Sequence, residues 1–341
     1  MASCCGKKVD VMARALTLVA LNVFSMLAAS EASTGGLSVA AMKARHEMWM
    51  AEYGRTYKDE AEKAQRFKVF MANAYFIDKS NAAENRTYVL GTNEFADMSN
   101  KEFMGTYARY KPMTSWAKKL PGFKYVNVTL ADIPDEIDWT KKGAVTKIKH
   151  QKNCACCWAF SATATVEGIH QITTGNLLSL SEQQLLDCSN ENQNCNGGIT
   201  AFAFEHIIHN GGIATEDDYP YTGVRGKCKQ DVNLPVKITS YEAVTRKNED
   251  ALAAAVAHQP VAVSVDSRKF QHYNGGVMTA HGCSTTVTHS LVVVGYGLDD
   301  GTKYWLLKNC WGEHWGEKGY LRLERGTGAC GIDEEPSYPV A

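Results

Sequence analysis

Cys157 stands where an apolar run of helical spacing begins, inside the segment Gln151-Lys152-Asn153-Cys154-Ala155-Cys156-Cys157-Trp158-Ala159-Phe160. The first turn of a helix carries unsatisfied N–H groups and the positive end of the peptide dipole, and both favour a thiolate over a thiol. A thiolate that attacks a carbonyl needs an imidazole to move protons and a third group to fix the imidazole's tautomer; folding, not adjacency, brings these together. His289 and Asn309, 132 and 152 residues further on, begin one strand-like run and end the next, and are of the required types. Two other chemistries compete for the same cysteines, because Cys154-x-x-Cys157 is also the spacing of a dithiol redox pair and of half a zinc site. The first calls for a surrounding βαβ unit and the second for another such pair nearby, and the sequence offers neither. Neither metal nor cofactor is expected.

The elements that would position these residues fall in a definite order. After Cys157, Phe160, Val166, Ile169 and Ile172 keep near-helical spacing up to a stop at Gly175. Ser181 with Gln184 has the form of a capping box, and 199–210 reads as a helix ended by Gly211-Gly212. Strand-like runs follow at 261–265, 291–296, 304–307 and 320–323. Helices first and strands later predict an α+β chain of two lobes.

Upstream, Lys7, Lys8 and Arg14 precede an apolar run over 15–29 and small residues around Ser30 and Ala32, the pattern of a secretory signal peptide over 1–32. The run is shorter than the roughly 20 residues that a membrane span needs. The C-terminal Tyr338-Pro339-Val340-Ala341 is no retention signal, so the product is expected to travel onward to a vacuole or lysosome, or out of the cell. In that oxidising route disulfides are the default fate of cysteine. Of the eleven cysteines, Cys4 and Cys5 leave with the leader; the nine that remain are odd in number, so at least one thiol stays free. A net charge of −1, with no basic and aromatic segment, excludes nucleic acid and anionic membrane as partners. The charge is divided unevenly: 33–131 holds 15 Lys and Arg against 10 Asp and Glu and no cysteine, whereas 132–341 holds 18 against 25. This predicts a basic segment and an acidic segment that attract each other. Asn85-Arg86-Thr87 and Asn127-Val128-Thr129 are glycosylation acceptors in the basic segment.

Within 33–131, Glu62, Arg66, Phe70, Asn73, Ile77 and Asn81 fall along one stripe of a single long helix, followed by Gly91, Asn93, Phe95 and Asp97. These ten positions match the two pro-segment motifs of cathepsin L-like zymogens, and the downstream Thr-His-Ser-Leu-Val-Val-Val-Gly-Tyr-Gly and Lys-Asn-Cys-Trp-Gly-Glu-His-Trp-Gly match papain-like enzymes. Together with a Cys to His and Asn spacing of about 130 to 150 residues, the chain from 40 to 341 resembles the papain-like cysteine peptidases. The resemblance implies a two-lobed peptidase domain over 132–341, with a helical first lobe and an antiparallel, barrel-like second lobe, behind a helical inhibitory pro-domain over 33–131 whose tail lies through the active-site cleft. It assigns Cys157 as nucleophile, His289 as base, Asn309 as the group that orients the base, Trp311 as cover for the His–Asn hydrogen bond, and Gln151 with the Cys157 N–H as oxyanion donors. It pairs Cys154 with Cys195, Cys188 with Cys228, and Cys283 with Cys330. Gly197 and Gly198 would line the substrate cleft. Ile199, Thr200, Ser264, Val287, Ser290 and Glu335 would line an S2 pocket with an apolar preference, and the carboxylate of Glu335 could add a preference for Arg. The expected partners are protein or peptide substrates, the chain's own pro-segment and cystatin-like inhibitors, with the enzyme a monomer. Five residues depart from the family pattern: Lys152, Ala155 and Cys156 in a stretch that usually reads Gln-Gly-x-Cys-Gly-Ser-Cys, Thr288 where Asp or Asn is usual, and Cys310 where Ser is usual.

Overall fold

The computed structural model describes residues 37–83, 86–112 and 122–341, so the leader and Asn85 lie outside the described residues. Among the described residues no helix is long and apolar enough to cross a membrane. The chain divides into two compact units, 1–75 and 76–341.

The described part of the first unit is built from helix α1 (Val39–Glu52) and most of α2 (Glu60–Asn81). Ser38 caps α1 by accepting the N–H of Ala41 at 3.2 Å. The two helices share an aromatic core in which Phe70 lies 5.2 Å from Trp49 and 4.9 Å from His46 between ring centroids. Phe70 belongs to the conspicuous stripe; so does Glu62, whose carboxylate accepts the Lys58 N–H at 2.9 Å and closes the first turn of α2.

In the second unit the same stripe continues into Asn81, whose amide holds both backbone groups of Leu90, at 2.8 and 2.9 Å. Leu90 ends a short strand, β1 (Tyr88–Leu90), where the sequence predicts helix alone. Its strand nature comes from tertiary pairing: β1 lies antiparallel to β5 (Tyr273–Met278). Helix α3 (Asn100–Tyr107) follows, opened by a complete capping box of Ser99 and Glu102.

The remaining helices are α4 (Cys157–Thr174), α5 (Glu182–Cys188), α6 (Thr200–His209) and α7 (Glu249–Val256). Helix α4 stops at Gly175, whose φ of 76° is the left-handed geometry that glycine adopts without strain. The Ser181 hydroxyl accepts the Gln184 N–H at 3.0 Å, but the Gln184 side chain turns away to the N–H of Ala214, so the capping box is only half formed. The strands β2 (Ile137–Asp138), β3 (Ser240–Ala243), β4 (Val261–Val265), β6 (His289–Asp299), β7 (Thr302–Lys308), β8 (Tyr320–Glu324) and β9 (Ser337–Val340) join β1 and β5 in one sheet of order β1-β5-β8-β7-β6-β4-β9-β3, with β2 on β6. All pairs are antiparallel except β5 with β8. Central β6 is apolar and buried from His289 to Gly297 because α4 covers one of its faces. The Ser161 hydroxyl on α4 donates to the Leu291 carbonyl on β6 at 2.9 Å, tying helix to strand.

Candidate active site

The candidate centre lies where the start of α4 meets the start of β6. Cys157 is the first residue of α4, fully buried and free of any disulfide. Its sulfur is faced by the backbone N–H groups of Ser290, Trp158 and Cys157, which favour a thiolate. Burial outweighs them and pushes the thiol up to about 12, so in this closed state the sulfur is protonated.

Ser290 follows His289 directly, and β4 fixes both by pairing Val265 with His289 and Ser264 with Ser290. Asn309 comes just after β7 and is anchored by its N–H to the Gly319 carbonyl at 3.0 Å. Its Oδ1 accepts the Cys310 N–H at 2.8 Å; a backbone N–H can only donate, which identifies that atom as oxygen. The same Oδ1 lies 2.8 Å from His289 Nε2, so Nε2 carries the proton and Nδ1 keeps its lone pair. Nδ1 has no hydrogen-bond partner. Burial pushes the imidazole down to about 4, against the opposing pull of Asn309, so His289 is neutral here. The buried Trp311 ring stacks on His289 with centroids 4.5 Å apart. Gln151, also fully buried, accepts Trp311 Nε1–H through Oε1 at 3.1 Å and donates from Nε2 to the Cys154 carbonyl at 2.8 Å.

Residues upstream of 132 close the site. Gly91 donates its N–H to the His272 carbonyl, and Asn93 donates to that of Gln271, both at 2.8 Å. Phe95 and Phe103 pack edge-on against Trp311 at 5.9 and 5.0 Å. The Tyr107 hydroxyl donates to Asn153 at 3.2 Å. Beyond α3 the chain is bonded to two segments of the site: Tyr110 N–H donates to the Thr288 carbonyl at 2.9 Å, and Lys111 N–H to the Gly198 carbonyl at 3.0 Å. Gly197, at φ 105°, lies against the Arg109 carbonyl, which occupies the space where a β-carbon would be. Gly198 is packed as closely against the Trp158 ring and the Asn192 amide.

The Tyr110 hydroxyl donates to Glu335 at 3.0 Å and is also within hydrogen-bonding range of Ser264. Of the other residues expected in the S2 pocket, Ile199 is held through its N–H to Asn192 at 2.7 Å, the Thr200 and Ser290 hydroxyls bond at 3.0 Å, and Val287 is buried two residues before His289. Sequence reasoning did not single out Tyr107 or Tyr110. Phe103 and Tyr107 were open to detection as an i,i+4 aromatic pair behind a capping box. Tyr110 follows no pattern.

The departing residues are accommodated in specific ways. Lys152 adopts φ 53°, the left-handed region, at the position where the family pattern has glycine. Ala155 is buried, with its N–H on the Cys195 carbonyl at 3.2 Å. The Thr288 hydroxyl accepts the Ser267 N–H at 3.0 Å. Three disulfides join Cys154 to Cys195, Cys188 to Cys228 and Cys283 to Cys330. Asn127 is exposed, and the Thr129 of its acceptor sequence is turned onto Asp132.

Known proteins resemble this chain in family and fold. The description "papain family cysteine protease" matches residues 133–340, and "cathepsin propeptide inhibitor domain (I29)" matches 46–103. The senescence-specific cysteine protease SAG39 of Oryza sativa subsp. indica is 50% identical over 97% of this chain and 99% of its own. Fruit bromelain of Ananas comosus is 42% identical over 96% and 95%. Among solved structures, a recombinant stem bromelain precursor superposes with TM-score 0.82 at 42% identity, covering 88% of this chain and 99% of its own. The Amb a 11 cysteine protease, a major ragweed pollen allergen, superposes in its proform with TM-score 0.81 at 40% identity over 89% and 95%. With a papain-family match over 133–340 and relatives up to 50% identical over nearly its whole length, the chain belongs to the papain family of cysteine proteases.

Proposed function

We propose that the chain is a cysteine endopeptidase of the secretory route, bound for a vacuole or the extracellular space, made as a zymogen and acting through a thioacyl intermediate on Cys157. One observation carries the reading: Asn309 fixes the tautomer of His289 so that its bare Nδ1 is left for the thiol proton. With the propeptide gone, water reaches the centre and the thiol proton passes to His289, giving a thiolate and an imidazolium. The sulfur attacks the scissile carbonyl, and the developing oxyanion receives the Cys157 N–H and a Gln151 N–H. His289 returns its proton to the leaving amine as the C–N bond breaks. Water, deprotonated by His289, then cleaves the thioester, releases the acid and restores the thiol.

The cleft reads substrates through the Gly198 backbone and through the pocket that Tyr110 fills. Its apolar walls favour an apolar P2 residue, and Glu335 adds a place for a polar tip such as a phenol or guanidinium. Labelling of acid-treated protein by a peptidyl epoxide or fluoromethyl ketone tests the function. Label on wild type that is lost in Cys157→Ser supports the endopeptidase; an unlabelled, folded wild type points to a papain-like binding protein without activity. Glu335→Ala should lower the ratio of Arg to Leu cleavage at P2, and an unchanged ratio removes Glu335 from specificity.

A further inference from the structure

Two buried thiols, Cys156 and Cys310, take part in neither the disulfides nor the nucleophilic step. Both replace the residues usual in the family pattern, and both are joined to Gln151. The Tyr221 hydroxyl lies 2.7 Å from the Gln151 carbonyl oxygen and 3.0 Å from Cys156 Sγ. A carbonyl only accepts, so the single phenolic proton goes to Gln151 and the Cys156 S–H donates to Tyr221. On the other side Cys310 Sγ donates to Gln151 Oε1 at 3.0 Å, alongside Trp311 Nε1, and the Cys310 carbonyl accepts the Gln151 N–H at 2.8 Å. Two donors at Oε1 decide which way the amide faces, since the flipped amide would turn its NH2 group onto them. Nε2 therefore keeps one N–H on the Cys154 carbonyl, and its other N–H is left for an oxyanion.

We propose that Cys156 and Cys310 are positioning residues for Gln151, a pair of buried thiol donors that hold its backbone carbonyl through Tyr221 and its side-chain oxygen directly. The proposal rests on the reading of Gln151 as an oxyanion donor. Burial pushes both thiols above their ordinary range, which keeps them protonated as donors. A hydroxyl in either place can donate in the same way.

The test uses the acid-activated full-length precursor and three readouts: affinity for a peptide aldehyde, whose adduct oxygen occupies the oxyanion hole; alkylation rate by a peptidyl epoxide, which needs the nucleophile but not that hole; and kcat separately from KM. Removing an oxyanion donor outright costs about 10²–10³-fold in kcat, so loosening one should cost about 5- to 20-fold. Cys310→Ala, Cys156→Ala and Tyr221→Phe should each weaken aldehyde binding and kcat by that factor, with KM and epoxide alkylation within about twofold of wild type. Cys156→Ser and Cys310→Ser should restore most of the loss. Tyr221→Phe keeps the ring volume and stands in if Cys156→Ala fails to fold. Wild-type aldehyde affinity in Tyr221→Phe and Cys310→Ala, with a loss in Gln151→Ala, overturns the positioning. Undiminished affinity in Gln151→Ala overturns the oxyanion reading itself, and the proposal with it.

Discussion

Cys157 and His289 reach one centre from regions built in different ways. His289 belongs to a ladder: β4 and β7 flank β6, and Asn309 is carried in just beyond β7, so many backbone pairings share the task of placement. Cys157 hangs on a loop from 151 to 156 that has almost no ladder and is held by one disulfide, a few side-chain hydrogen bonds and the buried face of α4. A ladder tolerates a changed side chain, as at Thr288, whose hydroxyl finds Ser267 and whose backbone bonds are unaffected. On the loop each side chain carries a larger share, and there Lys152, Ala155 and Cys156 depart together. Such departures need local compensation, and Tyr221 supplies part of it.

The largest contrast between ladder and loop is expected at the proposed catalytic groups. Cys157→Ser should lower kcat/KM by on the order of 10⁵-fold or more, while Asn309→Ala should cost roughly 10²-fold, because the ladder still holds His289 in place. Equal losses would mean that β4 and β7 do not fix the imidazole. Next come the crosslinks, which close loops of 41 and 47 residues. Losing either should cost about 4 kcal/mol in urea unfolding. Activity remaining in the folded fraction should fall much further for Cys154→Ser with Cys195→Ser than for Cys283→Ser with Cys330→Ser.

The third effect is propeptide release. The closed state keeps His289 neutral with a value near 4, below the ordinary 6.5 of a freed imidazole, so protonation favours the open state. Closed-state stability is therefore greatest above about pH 6.5 and falls by about 3 kcal/mol as pH drops toward 4. Protonating carboxylates of the acidic segment acts in the same direction. In Cys157→Ser, which cannot process itself, propeptide affinity should drop over that window; a flat profile would remove both causes. The smallest effect concerns Lys152, whose left-handed backbone costs about 1 kcal/mol, so Lys152→Gly should raise stability by less than that after the glycine's own chain entropy is subtracted.

The division between ladder and loop also marks what the sequence makes legible. The helix after Cys157 and the strand after His289 are readable because both are long apolar runs with clear ends. Strand β1 is not, because three residues acquire strand geometry only from β5, about 185 positions away. The link between Cys156 and Gln151 was equally hidden: it passes through Tyr221, and neither composition nor periodicity singles out one tyrosine of fifteen. The half-formed capping box at Ser181 shows the same limit, since Gln184 found a better partner in Ala214.

Strand β1 also shapes the protein that remains after activation. Loss of the propeptide takes β1 away and leaves β5 as the outermost strand, with backbone groups that had bonded Thr87 now open to water. Such a margin invites another chain to align along it. Here the adjacent Gly275 and Gly276, both at positive φ, put a bend in that margin, and a straight strand from a second molecule would find little to follow.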